Sequence, residues 1–460
     1  MFLRKFLTHF KSNGLFYSGI RFYSNRNIMS LQERGMFNDI FPSNTAQEII
    51  DLCNSHSQCV YAGFDPTSDS LHVGNLLVII HLLHWQRGGH NVIAVLGGAT
   101  GQIGDPSGRI KDREEQQETI IKQNVDCLTG QLTKLFENHK QYFWKGENLN
   151  PIRILDNISW YENQNAVNFI SKIGRHFRMG TLLSRTSVET RLQSEIGMNF
   201  TEFTYQIFQA YDWYHLCKNF DCRFQIGGSD QMGNIMSGHE FISKTLGKTV
   251  YGLTLPLIKS EAGDKFGKTA GNAVWLDSNK TSPFEFYQYF VRLPDSRIEE
   301  MLKLLTFMKL GEIKDLMSKH MAKPEERRAQ KHLAELLTVL VHGEEGLAEA
   351  KLTTSAMYST DLKTISSLTV PQISSIFRGA PIIEILLRPG ITVKQLALGA
   401  KCFLTESDAD RIINAGGFYI NHNRTKNPEE ILTLGVHILP NDVSLLRVGK
   451  KNYWIVKWLK

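Results

Sequence analysis

The spacing of apolar residues between about positions 59 and 275 alternates between that of strands and that of helices. Five short apolar runs predict buried strands: CVYAGF, NVIAVLG, IRILD, CRFQIGG and YGLTLPLI. Two longer segments, LLVIIHLLHWQRGG and FTEFTYQIFQAYDWYHLC, have helical spacing, and we expect the first helix to end at Gly88 and Gly89. The alternation predicts a parallel sheet covered by helices on both faces, with ligands bound at the carboxyl ends of the strands.

After residue 282 the strand pattern stops. EEMLKLLTFMKLGEIKDLMSKHM and ERRAQKHLAELLTVLVHGEEGLAEAKL have helical spacing, residues 356–388 are rich in Ser, Thr and Pro, and a small unit with both patterns follows. These changes predict five parts: a leader (1–32), an α/β domain (33–278), an α-helical domain (279–360), a linker (361–388) and a small α+β domain (389–460).

Composition excludes a membrane-spanning protein and a metal centre built on cysteines. Of the 460 residues, 42% are hydrophobic and 21% are charged, and the longest apolar run, Leu76–Trp85, is shorter than a membrane span and contains two histidines. The six cysteines form no Cys-x-x-Cys pair, and Cys217 and Cys222 have no second ligand pair at zinc spacing. We expect free thiols in a reducing compartment.

The leader contains no acidic residue, and its basic residues are Arg4, Lys5, Lys11, Arg21 and Arg26. This composition, with several Ser and Phe, predicts a mitochondrial transit peptide with processing after Tyr23; a basic terminus with another role is the alternative. Removal of residues 1–23 would lower the formal charge from +6 to about +2, because four basic residues leave (6 − 4). Net charge therefore says little about partners.

Three glycine-containing stretches look like nucleotide-binding loops, but none has the glycine spacing that such a loop requires. GGATGQIGDPSG lacks the spacing G-x-G-x-x-G, and no apolar helix follows it. The two GKT triplets have Ile242 and Ala262 where a Walker loop requires glycine. Neither a dinucleotide fold of the dehydrogenase type nor a P-loop is predicted.

The stretch YAGFDPTSDSLHVGN predicts a phosphate site. A strand should end near Phe64, and residues 68–70 should cap a helix whose first turns contain His72, Gly74 and Asn75, with free backbone N–H groups for an anion. Taken alone, a histidine at this position would more often be a structural residue with satisfied hydrogen bonds.

The later stretch DKFGKT places Lys265 and Lys268 around a flexible Phe-Gly pair, so both ammonium groups could close over a polyphosphate. A solvated basic turn is the alternative.

The second helix places three polar residues on one stripe. Tyr205, Gln209 and Asp212 are spaced i, i+4 and i+7, which puts them within about 60° of one another in a helix otherwise rich in aromatic residues. A polar stripe there costs stability unless it has partners, so it predicts the lining of a polar pocket, with partial exposure as the alternative.

HVGN and KFGKT, in this order on an α/β background, resemble the two signature sequences of class I aminoacyl-tRNA synthetases. Together with GGATGQIGDPSG, QAYDW, QIGGSDQMGNI and KFGKTAGN, they make the chain similar to the tyrosyl-tRNA synthetases of the bacterial and mitochondrial type. The resemblance covers nearly everything after residue 33. It implies a Rossmann-like parallel-sheet catalytic domain, an α-helical anticodon-region domain and a small α+β S4-like RNA-binding domain.

The resemblance also implies the activity. L-Tyrosine would react with ATP, accompanied by Mg²⁺, to give tyrosyl-adenylate, and the tyrosine would pass to the 3′ end of tRNA(Tyr) in the mitochondrial matrix. It implies a homodimer, no prosthetic group and no membrane partner. A tryptophanyl-tRNA synthetase, an RNA-binding or splicing factor derived from a synthetase, and a generic nucleotidyltransferase remain alternatives.

The roles implied for individual residues fall into three groups. Catalytic roles fall to Thr67, His72, Asn75, Lys265, Lys268, Thr269, Arg109 and Arg113. Tyrosine would be bound by Tyr61, Asp105, Tyr205, Gln209, Asp212 and Gln231. ATP would be bound by Asp65, Gly74, Gly228, Asp230 and Lys268, and no residue is expected to hold a dedicated metal ion. Two departures stand out: Asn75 replaces a common histidine, and KFGKT lacks the common Met and Ser.

Residues 391–460 contain ten Lys and Arg against six Asp and Glu, a local charge of +4 (10 − 6). The stretch DADRIINAGGFYINHNR predicts a helix, a glycine turn and a strand, and the tail KKNYWIVKWLK mixes aromatic and basic residues. This combination favours contact with RNA, while a mildly basic folded appendage is the alternative.

Overall fold

A computed structural model describes residues 26–108, 115–146, 148–258, 268–269, 272–358, 365–366, 368–377, 380–449 and 452–460. They form two compact units. The first comprises the described residues up to Ser282 together with Gln288–Gly343, and the second comprises Pro283–Tyr287 and the described residues from Glu344 to Lys460.

The first unit contains a six-stranded sheet. Its strands are β1 (Asp39–Phe41), β2 (Cys59–Phe64), β3 (Asn91–Leu96), β4 (Arg153–Asp156), β5 (Cys222–Gly228) and β6 (Tyr251–Leu255). The order across the sheet is β1-β6-β5-β2-β3-β4, and all neighbours are parallel except β1, which is antiparallel to β6. The five predicted strands are confirmed, and the short antiparallel edge strand is an addition.

Helices cover both faces of this sheet. They are α1 (Ala46–Ser55), α2 (Leu76–Arg87), α3 (Thr100–Ile103), α4 (Glu118–Asn138), α5 (Ala166–Asn168), α6 (Met179–Leu183), α7 (Thr186–Leu192), α8 (Phe200–Phe220) and α9 (Met232–Leu246). Successive residues of a strand point to opposite faces. On one face Tyr61 packs near Trp213 of α8, with ring centroids 6.2 Å apart, and on the other Trp85 of α2 packs on Phe224, 4.9 Å away.

After the sheet, the described chain contains two antiparallel strands of two residues each, β7 (Lys268–Thr269) and β8 (Asn272–Ala273). It continues, as predicted, as helices: α10 (Pro283–Val291), α11 (Asp295–Leu305), α12 (Leu310–Ala322) and α13 (Arg328–Tyr358). The last helix is interrupted at Gly343, whose φ of 77° is readily adopted by glycine.

The N-terminal boundary predicted at residue 32 is too late. Residues Ile28–Arg34 form a 3₁₀ helix in which Ile28, Met29 and Leu31 are buried, because these apolar side chains pack into the folded unit. The acid-free composition extends to Gln32, inside this helix, so composition alone does not separate the leader from the folded chain.

The second unit contains a five-stranded sheet and short helices. Its strands are β9 (Ile382–Leu386), β10 (Phe418–Ile420), β11 (Asn423–Thr425), β12 (Val443–Val448) and β13 (Asn452–Leu459), and its short helices are α14 (Val370–Ile376), α15 (Val393–Gly399) and α16 (Glu406–Asn414). The order is β11-β10-β12-β13-β9, antiparallel except for the pair β13 and β9. The predicted helix, glycine turn and strand are confirmed: α16 leads through Gly416, with φ of 70°, into β10.

All six cysteines are unpaired thiols, as expected, and four of them are buried. Among the described helices, none combines the length and apolar character needed to cross a membrane.

Candidate active site

A cavity of about 230 Å³ opens where β2 and β5 lie side by side. From β2 the chain continues to β3 and β4 on one side of the sheet, while β5 continues to β6 on the other, so this is the point where the strand order reverses. Open parallel sheets bind ligands at this point. Nine of the residues selected from the sequence line the cavity: Tyr61, Asp65, Thr67, Asp105, Tyr205, Gln209, Asp212, Gly228 and Gln231.

One end of the cavity presents a hydroxyl that lacks a partner. Tyr61 is 2% exposed, and its hydroxyl forms no hydrogen bond with any described residue. Burial, with the nearby charge of Asp212 as a lesser cause, raises the pKa of Tyr61 well above its usual value. The phenol therefore stays neutral and can both donate and accept a hydrogen bond.

The carboxyl group of Asp212, which also lines this cavity, is buried and held by three donors. Trp160 Nε1 and the hydroxyl of Tyr161 each lie 2.8 Å from Oδ1, and Asn157 Nδ2 lies 3.1 Å from Oδ2. Burial raises the pKa of Asp212 to about 6, although the three hydrogen bonds act in the opposite direction. At neutral pH the carboxylate is mostly ionised and oriented before any ligand binds.

The polar network in the cavity also includes Asp105 and two glutamines. Gln231 Nε2 donates to Asp105 Oδ2 over 2.6 Å, and Asn234 Nδ2 donates to the side-chain oxygens of both Gln209 and Gln231 over 2.9 and 3.1 Å. These donors point at one carboxylate oxygen and two amide oxygens, and each such oxygen carries two lone pairs. A cationic group fits this network.

Asp65, which was assigned to ATP, and Tyr205, which was assigned to tyrosine, are hydrogen-bonded to each other. The hydroxyl of Tyr205 donates to Asp65 Oδ2 and Thr100 Oγ1 donates to Asp65 Oδ1, each over 2.8 Å. A Cβ atom on Gly97 would collide with the Asp65 carboxylate, which explains why glycine follows β3. Since Tyr205 uses its proton on Asp65, its oxygen can only accept from a ligand.

The turn at HVGN differs from the prediction in its capping. His72, not residues 68–70, caps the 3₁₀ turn Val73–Asn75: its Nδ1 accepts from Gly74 N over 3.0 Å, and Asn75 Oδ1 accepts from His72 N. The N–H of Val73 donates to Val274, and that of Asn75 donates to His72 O. The expected free backbone N–H groups are therefore engaged, and an anion here would be bound by side chains.

The segment after the lysine-containing loop returns to this turn. His72 and Trp275 form an antiparallel bridge, with the N–H of Val73 2.9 Å from the oxygen of Val274 and the N–H of Leu276 2.8 Å from the oxygen of Leu71. For Lys268 and Thr269 only the backbone pairing in β7 is described. Arg109, Arg113 and Lys265 lie outside the described residues.

Not every selected residue reaches the cavity. His72, Gly74 and Asn75 do not line it, and Asp230 instead lines a neighbouring cavity of about 580 Å³. Gly228 lines the first cavity and approaches Asp230 closely, since a Cβ atom there would lie 2.5 Å from Asp230 Oδ1. The structure thus joins the residues selected for tyrosine and separates them from part of the set selected for ATP.

The structure also brings to the cavity side chains that were not selected from the sequence. They include Thr100, Asn157, Trp160, Tyr161, Gln225 and Asn234. Three of them belong to the segment NISWY, directly after β4, and Gln225 lies opposite Tyr61 in the sheet. The signal that could have found them is their position near the carboxyl ends of predicted strands.

The chain matches the family model "tRNA synthetases class I (W and Y)" over residues 54–359. It is 53% identical to the mitochondrial tyrosine--tRNA ligase of Drosophila melanogaster over 95% of each chain, and 48% identical to that of Homo sapiens over 94% of this chain and 92% of the relative. A crystal structure of a C-terminally truncated mitochondrial tyrosyl-tRNA synthetase from Aspergillus nidulans superposes with a TM-score of 0.65, at 32% identity, over 72% of this chain and 94% of that one. The chain therefore belongs to the class I tRNA synthetases of the tryptophan and tyrosine group, among the tyrosine--tRNA ligases.

Proposed function

We propose that the chain activates L-tyrosine with ATP and transfers it to the 3′ end of mitochondrial tRNA(Tyr). The observation that carries this proposal is the cavity between β2 and β5. It has a phenol without a hydrogen-bond partner among the described residues and an oriented carboxylate, together with a network of acceptors that suits an ammonium group. Tyrosine has a hydroxyl and an ammonium group that match these two sets of side chains.

In this proposal the substrate hydroxyl donates to Asp212 and accepts from Tyr61, while Asp105, Gln231 and the oxygens of Tyr205 and Gln209 hold the ammonium group. A site built for a hydroxyl rejects a ligand without it because its buried polar groups stay unpaired. The resulting discrimination is roughly 10⁴ to 10⁵, a figure measured on a tyrosyl-tRNA synthetase itself. Phenylalanine should therefore be a very poor substrate.

The first step is attack by the tyrosine carboxylate on the α-phosphate of ATP, which releases pyrophosphate. The second step transfers tyrosine from the adenylate to a ribose hydroxyl of the terminal adenosine. Catalysis rests on positioning and on charge stabilisation in the transition state. Thr67 lines the cavity beside Asp65, which suits a donor to the departing phosphates.

The phosphate-binding roles of the remaining residues are proposed on the same basis. The bridge between His72 and Trp275 keeps the HVGN turn next to the segment that follows the lysine-containing loop. The lysines and the hydroxyl of KFGKT are proposed to act on the pyrophosphate, and Asp230 with Gly228 would bind the nucleotide at the end of β5. The groups proposed to act on the phosphates besides Thr67 are His72, Asn75, Lys265, Lys268, Thr269, Arg109 and Arg113.

Magnesium would accompany ATP through the phosphate oxygens and water rather than through a protein cage. Within the described part of the chain no group of three or more His, Cys, Asp or Glu side chains has the arrangement of a metal site. We further propose the mitochondrial matrix as the location, the helical segment as the region that meets the anticodon arm, and the small C-terminal domain as an S4-like RNA-binding module. The local +4 charge of residues 391–460 supports the last role.

A homodimer is proposed from an exposed apolar surface in the first unit. Seven apolar side chains between residues 167 and 200 are 39–76% exposed: Val167, Ile170, Met179, Leu183, Leu192, Ile196 and Phe200. This density of exposed large apolar side chains is typical of a protein–protein interface.

The proposed function is tested by amino-acid-dependent ATP–pyrophosphate exchange together with charging of tRNA(Tyr). We expect exchange with tyrosine and not with tryptophan, because a hydroxyl must bridge Tyr61 and Asp212. Exchange with tryptophan alone would instead identify the tryptophan enzyme.

Substitution of one loop lysine separates catalysis from RNA binding. We expect Lys268→Ala to reduce tyrosyl-adenylate formation by a factor of about 10² or more, since it removes a charge from the transition state. Binding of tRNA, measured by filter retention, should be unchanged. Unchanged adenylation would refute the role of Lys268, and tRNA binding without any adenylation by the wild type would favour an RNA-binding factor.

A further inference from the structure

Tyr161 contacts the proposed hydroxyl-binding carboxylate from behind. It follows the 3₁₀ turn Asn157–Trp160 and does not line the cavity. Its ring packs in an aromatic cluster, with ring centroids 5.1 Å from Phe208 and 5.5 Å from Tyr211. This packing holds the hydroxyl of Tyr161 against Asp212, so any effect of Tyr161 on a ligand must pass through that carboxyl group.

The hydroxyl of Tyr161 lies between two acceptors. It is 2.8 Å from Asp212 Oδ1 and 2.9 Å from the main-chain oxygen of Phe208. A tyrosine hydroxyl has one proton, so it serves both acceptors only by sharing that proton when Asp212 is ionised. When Asp212 is protonated, Asp212 can donate to Tyr161 while Tyr161 donates to Phe208. The position of one proton thus depends on the charge of Asp212.

The hydrogen bonds to Asp212 leave little of its acceptor capacity for a ligand. A carboxylate offers about four acceptor positions, two on each oxygen. Trp160 and Tyr161 fill those of Oδ1, and Asn157 takes one on Oδ2. One position remains, on Oδ2 of a residue that lines the cavity.

We propose that Tyr161 is a specificity-determining positioning residue. Together with Trp160, it fills both acceptor positions of Asp212 Oδ1 and so leaves a single acceptor position, on Oδ2, for the ligand hydroxyl. The strength of that position then depends on whether the Tyr161 proton is directed at Asp212 or at Phe208. The inference rests on the proposed binding of tyrosine in this cavity. Loss of the Tyr161 hydroxyl would loosen the carboxylate, open a second acceptor position and favour protonation of Asp212.

Other titratable groups surround Asp212. They are the carboxylate of Asp65 and the phenols of Tyr61, Tyr161, Tyr205 and Tyr211. Burial raises the pKa of each phenol, so the phenols stay neutral between pH 5 and 9. A change in the pH profile on removal of one phenol hydroxyl therefore reports on a carboxyl group.

The test is the variant Tyr161→Phe, measured by pyrophosphate exchange with tyrosine and with phenylalanine from pH 5 to 9. Hydrogen bonds to charged groups are among the stronger ones, so we expect the KM for tyrosine to rise at least about fivefold while kcat changes less than about twofold. The tyrosine-to-phenylalanine ratio of kcat/KM should fall by a similar factor. The acid limb should move to higher pH, since a carboxylate that loses a donor is protonated more easily.

Tyr211→Phe is the matched control, because its hydroxyl belongs to the same aromatic cluster but accepts from Gln164 Nε2 over 2.9 Å. A Tyr161→Phe variant that equals this control in KM, selectivity and pH profile would overturn the proposal. In an Asp212→Asn background the effect of Tyr161→Phe on KM should disappear, and an unchanged effect there would also overturn it. If Tyr161→Phe does not fold, Tyr161→Met keeps an apolar side chain and gives the same readouts.

The failures of the two proposals are distinguishable. A wild-type protein without tyrosine-dependent exchange would overturn the proposed function and this inference with it. An active wild type with a Tyr161→Phe variant that behaves like Tyr211→Phe would overturn the positioning role alone.

Discussion

Tyr61 is a residue whose side chain is suited to a ligand rather than to the free protein. Its hydroxyl is buried and has no hydrogen-bond partner among the described residues. An unpaired buried hydroxyl costs about 1–3 kcal/mol of stability. A ligand hydroxyl placed between Tyr61 and Asp212 would remove that cost, so part of the binding free energy of tyrosine is already set by the fold.

The substitution Tyr61→Phe should separate stability from binding. We expect an unchanged or higher free energy of unfolding, because the ring stays packed and the unpaired hydroxyl is removed. Tyrosine should bind more weakly, with a higher Kd and a loss of about 0.5–1.5 kcal/mol of binding free energy, since one hydrogen bond is lost. Urea denaturation and equilibrium dialysis measure the two quantities. A clear loss of stability with unchanged affinity would show that the hydroxyl has a structural role.

The sequence predicted the residues that line the cavity better than the residues that hydrogen-bond to them from outside it. Asp212 and Tyr205 were found because helical periodicity places them on one stripe, whereas Tyr61 was found only through the resemblance to the synthetase family. Trp160 and Tyr161 were missed because they lie in and after an irregular turn, where no period predicts which way a side chain points. The pairing of Tyr205 with Asp65 joins residues 140 positions apart and is set by tertiary packing.

Among the elements, α2 carries an ionisable group into the core. His81 is fully buried, packs on Phe37 with ring centroids 4.9 Å apart, and has no hydrogen bond to either ring nitrogen from a described residue. Burial lowers the pKa of His81 to about 3. The histidine is therefore neutral in the folded protein and must stay so.

Acid should destabilise the protein through this helix. The unfolded chain binds a proton at His81 below about pH 6.5, while the folded chain does so only near pH 3, so the unfolding free energy falls as the pH falls between these values. His81→Leu should reduce the slope of unfolding free energy against pH from 6.5 to 4, measured by urea denaturation. His56→Leu, at an exposed histidine, is the control. Equal slopes in wild type and His81→Leu would contradict the account.

At the level of elements the fold was largely readable from periodicity. The five parallel strands and α8 have strong apolar patterns, whereas β1 has only three residues, too few for a pattern, and pairs with β6 at the edge of the sheet. The cap at HVGN was misassigned because Ser and Asp at residues 68–70 are better capping residues than His72 by type. Its actual cap depends on the backbone bridge to residue 275, a contact distant in sequence.

For the whole molecule, the proposed self-association depends on the exposed apolar side chains between residues 167 and 200. Burying such side chains contributes about 25 cal/mol for each Å² of apolar area. Charges placed among them would have to be desolvated on association without a partner. The surface can therefore be tested without touching the cavity.

The double variant Ile170→Asp, Phe200→Asp should convert a dimer into a monomer in sedimentation-velocity experiments, because both side chains are more than 60% exposed. The control is Leu404→Asp in the second unit, where the leucine is 96% exposed, and it should leave the association state unchanged. A double variant that sediments like the wild-type dimer would place the interface elsewhere.

In the proposed function, the cavity between β2 and β5 recognises a phenol through Tyr61 and Asp212. The most direct test is the ratio of kcat/KM for tyrosine to that for phenylalanine in ATP–pyrophosphate exchange by the wild-type protein. We expect a ratio of roughly 10⁴ or more, because phenylalanine leaves the Tyr61 hydroxyl and the remaining acceptor position of Asp212 without a partner. A ratio below about ten, the effect of a small difference in apolar contact, would contradict it.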